Sequence, residues 1–143
     1  MDGSLLREIG AAGSFGLSAI GAAIAMAANG PAVIGAWKKC YVQNKPAPFI
    51  LAVFAGTSLS NVIYGFIVMS ALFTSSLQNF QVFVLGLGAG ICIGVVAYTQ
   101  ALCSACAAEA YAETGKGFGN FLMVIGIAET VSLFAMVFTL LFA

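Results

Sequence analysis

Six side chains in this sequence, Thr57, Ser60, Asn61, Tyr64, Gln100 and Glu129, are of the types that hold a small cation or a proton. They offer one carboxylate, two amides, two aliphatic hydroxyls and a phenol, and their ligating atoms are all oxygen. Hard cations take such ligands, and the absence of His or thiolate among them argues against zinc, copper or iron. Glu129 lies inside VIGIAETVSLFAMVF, residues 124–138, an otherwise apolar run. An ionised carboxylate near the centre of a bilayer costs about 2.5 to 3.5 kcal/mol on the gentlest scales, so it needs partners. One carboxylate balances one positive charge, and a divalent ion would leave net charge buried. The donor set therefore points to a monovalent cation, Na⁺ or H⁺. A shell of several oxygens favours Na⁺, while the same amides could instead hydrogen-bond a protonated Glu129.

The elements that must position these groups follow from composition. Of 143 residues, 62% are hydrophobic and only 7% charged, with a mean hydropathy of +1.06, which places the chain among membrane proteins. Four apolar stretches, about 13–37, 48–73, 80–108 and 118–142, each reach the length of about 20 residues that a spanning helix needs. No period-two strands compete with them. The fold class is therefore all-α, a membrane protein of four transmembrane helices. The connections KKCYVQNKPAP, TSSLQNF and AEAYAETGKGFG are short, so the helices pair as hairpins over 1–75 and 76–143. Each hairpin follows one plan, a small-residue helix and then a bulkier one. Gly86, Gly90 and Gly94 recur at four-residue steps in the third helix, the first is similarly rich in small residues, and such rows let helix backbones approach closely. Their presence in both odd helices favours a tightly packed ring of copies.

Depth can be read from the hairpin turns. If the second hairpin turns near Thr114 and Gly115, Gln100 and Glu129 each lie about fourteen residues from the turn, or roughly 20 Å into the membrane. They can therefore face each other. The first hairpin turns near Lys45 to Ala47, and the same count into the second helix arrives at Asn61. Residues 57, 60, 61 and 64 follow the i, i+3, i+4, i+7 rule, so one helix face carries a polar stripe at the level of Glu129. Tyr64 would donate its hydroxyl to the carboxylate, or serve packing alone.

Five acids and five bases cancel, which excludes nucleic acid as a partner on grounds of charge. Lys38, Lys39 and Lys45 share one loop region while TSSLQNF carries no charge, so loops 1–2 and 3–4 should be cytoplasmic and both termini outside. Asp2 and Glu8 precede an apolar run too long for a signal-peptide core, which is read as a permanent span. Cys103 and Cys106 form a C-x-x-C with no preceding strand and no His in the chain, so they are read as small hydrophobes.

AGTSLSNVIYGF, VVAYTQALCSACAAEA and IGIAETVSLFAMVF, with the duplicated hairpin and the 29-residue spacing of Gln100 and Glu129, resemble a known family. It is the sixteen-kilodalton rotor ring proteolipid of V/A-type rotary ATPases, especially its Na⁺-translocating bacterial members. The resemblance implies a ring of about ten identical protomers in a bacterial plasma membrane, turned by ATP hydrolysis in a separate soluble head through a central-stalk subunit. Each protomer would carry one ion past a stator subunit that supplies an arginine. The protomer itself would catalyse nothing and use no organic cofactor. By the same resemblance Glu129 is the essential carboxylate, Gln100 and Asn61 supply side-chain carbonyls, Ser60 a hydroxyl, Thr57 a backbone carbonyl, and Tyr64 a hydrogen bond to the acid. Asn61 and Ser60 stand where the Na⁺ members usually have Gln and Thr. Two other readings compete. A four-helix proton-coupled exporter would carry its acid in the first helix and lack the duplication, and a purely structural bundle would use Glu129 only for packing. No nucleophile, base and orienting group converge anywhere.

Overall fold

A computed structural model describes residues 3–143, and among these every regular element is helical. Asp2 and the start of the 1–75 segment lie outside the described residues. Helix α1 spans Gly3–Val42, α2 Leu51–Gly56, α3 Leu59–Thr74, α4 Asn79–Thr114 and α5 Phe118–Phe142. Taking α2 and α3 as one segment, Leu51–Thr74, four helical segments are long and apolar enough to cross a membrane.

Two helices outrun their apolar stretches. α1 begins ten residues before 13 and α4 ends six residues after 108. Hydropathy marks where lipid ends, whereas a helix continues until its backbone groups find other partners. Beyond the apolar stretches the two helices are held together by polar contacts, such as the ion pair of Lys39 with Glu113. Two glycines close the second hairpin. Gly115, at φ 63°, donates its backbone N–H to the Tyr111 carbonyl at 2.8 Å, and Gly117 follows at φ 85°. Both conformations are left-handed and suit a residue without Cβ.

The expected continuous second helix is broken. Thr57 and Ser58 form a turn between α2 and α3, and the Asn61 N–H bonds back to the Ser58 carbonyl three residues earlier at 3.3 Å. The tighter bond shifts the register of the ladder and turns backbone carbonyls away from the helix axis.

The central contact joins α1 to α4, and glycine makes it possible. A Cβ on Gly90 would lie 2.8 Å from the Gly13 carbonyl oxygen, and one on Gly94 2.7 Å from that of Leu17. Gly86 meets the Gly10 backbone and Gly21 the Gly94 backbone more closely still. The glycine row thus has its partner inside the chain, so the row by itself does not call for a neighbouring copy. From the other side Gly65 of α3 packs on Ser14 and Ser18 of α1.

Two apolar cores lie along this frame. Near the lysine-bearing loop, Val33, Ala36, Leu51, Phe54, Ala108 and Ile125 pack together, roofed by the rings of Phe54, Tyr111 and Phe118. At the other end lie Ala11, Val68, Leu72, Val82 and Ile93. That end is tied by Arg7, whose guanidinium donates to the carbonyls of Leu72, Ser75 and Leu77, the unsatisfied C-terminus of α3 and the loop after it. Between the two cores sits a layer of fully buried polar side chains: Asn29, Asn61, Gln100 and Ser104.

Two outcomes follow from this packing. Gly86→Ala, a change that ordinarily favours a helix, should lower thermal stability in detergent, because its methyl meets backbone rather than a movable side chain. Stability equal to or above the parent would refute the contact. Arg7→Ala should cost about 1 to 3 kcal/mol through the orphaned carbonyls, seen as a lowered unfolding midpoint. Lys at position 7 should restore only part of it, since one ammonium cannot span three carbonyls.

Candidate ion-binding site

Glu129 owes its position to the way α5 meets the bundle. Along that helix only Ile125, Ser132 and Thr139 are buried, a seven-residue repeat that makes one narrow seam. Glu129 stands at the edge of the seam, half-buried, one turn from Ile125 and just under one from Ser132. The Ser132 hydroxyl donates to the Glu129 backbone carbonyl at 2.8 Å.

Both carboxylate oxygens are engaged. The Tyr64 hydroxyl donates to Oε1 at 2.8 Å, and Gln100 Nε2 approaches Oε2 at 3.4 Å. Behind them Asn61 Nδ2 donates to Gln100 Oε1 at 2.8 Å. Three helices thereby supply one relay of donors, from Asn61 on α3 through Gln100 on α4 to Glu129 on α5. Tyr64, one turn beyond Asn61 on α3, closes it from the opposite side. The matching of depths counted from the turns is what brings Gln100 and Glu129 together.

Thr57 and Ser60 stand apart from the carboxylate. The Ser60 hydroxyl bonds the Thr57 carbonyl at 3.4 Å, within the turn of the break. Thr57 Oγ1 lies 3.1 Å from the Phe54 carbonyl and 2.7 Å from Ser104 Oγ. Ser104 donates in turn to the Gln100 backbone carbonyl at 3.0 Å, so Thr57 is linked to Gln100 through a residue that the polar stripe and the depth count do not single out. A signal for it exists in the sequence, a polar side chain one turn beyond Gln100 on the same helix. Ser58, likewise off the stripe, donates to the Ala97 carbonyl at 3.1 Å and pins the break to α4.

The chemistry of this cluster is that of holding, not of bond cleavage. No free nucleophile stands beside a base among the described residues. Asn61 Oδ1 is buried without a hydrogen-bond partner, an acceptor beside the Gln100 amide. Turning the Gln100 amide about its last torsion exchanges the donor facing Glu129 for a carbonyl oxygen and brings Nε2 toward Asn61. In one setting donors surround the carboxylate; in the other, oxygens do. The second setting suits a hard cation.

Residues 83–142, covering nearly all of α4 and the whole of α5, match the family model for the proteolipid C chain of ATP synthase. Over its second hairpin the chain is similar to the rotor proteolipids of rotary ATPases. That family is non-catalytic and its members are ring-forming helical hairpins that carry ions, in keeping with a site that holds a carboxylate and has no catalytic constellation. No curated protein matches the chain. The match spans both Gln100 and Glu129, and the first hairpin, with Thr57, Ser60, Asn61 and Tyr64, lies outside it.

Tyr64→Phe removes the shorter of the two bonds to the carboxylate while keeping the ring. Glu129 should then react faster with a hydrophobic carbodiimide at fixed pH, by about threefold to tenfold for one hydrogen bond to a charged group. Unchanged labelling kinetics would show that Tyr64 serves packing alone.

Proposed function

We propose that the chain is the rotor proteolipid of a V-type ATPase, and that each copy binds one monovalent cation, Na⁺, at Glu129 and carries it across the membrane as a ring of copies rotates. The observation that carries this reading is the carboxylate of Glu129, half-buried midway along a lipid-spanning helix and held on both oxygens by Tyr64 and Gln100. A bound cation neutralises the acid, so the loaded site can pass lipid at little cost, while an empty ionised one cannot.

In the loaded state Glu129 supplies the charge and Gln100 and Asn61 their amide oxygens. Ser60 supplies its hydroxyl, and Thr57 the backbone carbonyl at the break. Tyr64 holds the carboxylate in place from the side. The unpartnered Asn61 oxygen and the all-oxygen donor set support a hard ion. The exposed apolar flank of α5, with Ile127, Val131, Phe134 and Phe138, suits either lipid or a neighbouring copy. Identical protomers, about ten, would close the ring. A stator subunit would displace the ion with an arginine, and a central stalk would link the ring to the ATP-hydrolysing head. The lysine-bearing loops would face the cytoplasm of a bacterial cell, and both termini the outside.

A second reading rests on the relay itself. Asn61 donates to Gln100 and Gln100 to Glu129, an arrangement that serves a proton-carrying acid without further ligands. Desolvation favours the protonated acid and a neighbouring cation the ionised one, so the two ions compete for the same oxygens. Carbodiimide modification of Glu129 at fixed pH, with and without Na⁺, separates them. Protection by millimolar Na⁺ is the expected result, and labelling that follows pH alone leaves a proton rotor. Glu129→Gln should abolish labelling, ion transport and coupled ATP hydrolysis together; a variant that still pumps would remove the rotor reading altogether.

A further inference from the structure

We propose that Asn29 is a positioning residue of the ion site, a clamp from α1 that holds the break between α2 and α3. This inference rests on the rotor reading above and concerns a residue with no contact to the carboxylate. Asn29 is fully buried, and its Nδ2 donates both to the Phe54 carbonyl at 2.9 Å and to the Ala55 carbonyl at 3.2 Å. These carbonyls belong to the last turn of α2, where a helix end leaves its acceptors without partners. In a lipid environment such acceptors must be satisfied by protein. Thr57 Oγ1 shares the Phe54 carbonyl and leads through Ser104 to the Gln100 backbone. A continuous chain of hydrogen bonds thus runs from Asn29 to the residue that touches Glu129.

The local sequence around Asn29 fits such a role. Asn29-Gly30-Pro31 lies inside the unbroken α1, where Pro31 removes the N–H that would otherwise bond the Ala27 carbonyl. Asn29 Oδ1 is itself buried with no partner, an arrangement that costs stability and that an apolar residue would avoid. The amide is placed for what its nitrogen does. Of the side chains close in size to Asn, Asp brings only acceptors against two carbonyls when ionised and Leu brings nothing.

Loss of the clamp lets the turn at Thr57 and Ser58 close toward regular helix. Thr57, Ser60 and Asn61 then swing away from Gln100, while Tyr64, beyond the break, keeps its bond to Glu129. The oxygens contributed by the second helix are therefore weakened and the acid is kept.

Carbodiimide labelling of Glu129 in the purified ring tests this. Asn29→Leu should raise the Na⁺ concentration for half-protection about tenfold, the equivalent of losing one well-placed hydrogen bond. Asn29→Gln, which restores the donors, should bring the midpoint back toward the parent value. If Asn29→Leu fails to form rings, Asn29→Ser, which keeps a single donor, is measured in its place and should raise the midpoint by a smaller factor. An intact ring with the parent midpoint overturns the clamp, as does a midpoint that Asn29→Gln leaves raised. If the parent protein shows no Na⁺ protection, the sodium reading fails separately, and the same variants are compared by the pH of half-maximal labelling. A displaced midpoint in the Leu or Ser variant, restored by Gln, then supports the clamp, and an unmoved one overturns it.

Discussion

Every polar group at the middle of a lipid-spanning bundle has to find its partner in protein, and the structure is organised around that constraint. Glu129 is the costliest such group. Its two oxygens take a phenol from α3 and an amide from α4, and the amide is oriented in turn by Asn61. The polar layer that results is sandwiched between two apolar cores and has little route to water except past Glu129 itself. The break in the second helix answers to the same constraint. Carbonyls turned out of the ladder there are met by Asn29, Thr57 and Ser60 rather than by solvent.

That layer could not assemble if α1 and α4 stood at an ordinary distance. Helix axes usually lie about 8 to 10 Å apart, set by the side chains between them. Here the backbones of Gly10, Gly13 and Leu17 press on Gly86, Gly90 and Gly94, and no side chain intervenes. The close pair lets Gln100, on the far side of α4, reach both α3 and α5. It also brings Asn29 of α1 within reach of the α2 carbonyls. Glycine therefore acts on the ion site from a distance, by deciding how far an amide must reach.

The four spans and the level of the site were legible in the sequence, because both depend on quantities that sequence carries directly. Apolar length gives the spans, and the rise per residue from each turn gives the depth that pairs Gln100 with Glu129 and Asn61. Less was legible where a partner decides the outcome. The break at Thr57 and Ser58 carries no proline, and Gly56 beside it is unremarkable in a membrane helix. Only the side chains that meet the freed carbonyls make the break tolerable. Asn29 and Ser104 read as isolated polar residues in small-residue helices until their acceptors on other helices are known. The ends of α1 and α4 escaped for a different reason: the ion pair of Lys39 with Glu113 and the Arg7 cap act outside the apolar stretches by which spans are recognised. The glycine row was read correctly as a contact surface, but its partner turned out to be α1 of the same chain.

A further consequence concerns charge. By count from its own turn Asn61 stands at the level of Glu129, so the first hairpin offers an amide where the second offers an acid. Two carboxylates flanking the Gln100 amide would repel, and one would stay protonated across the accessible pH range. An amide in that place removes the repulsion and serves as donor or acceptor according to which way Gln100 turns. The cluster is thereby limited to one unit of negative charge, and so to one monovalent cation for four helices. In a rotor built from such chains, each copy that passes the stator moves one ion while occupying the arc of two hairpins. The number of ions moved per turn is then set by the number of acids rather than by the number of hairpins. The single carboxylate in a largely uncharged bundle thus fixes the gearing of the machine as well as the chemistry of its site.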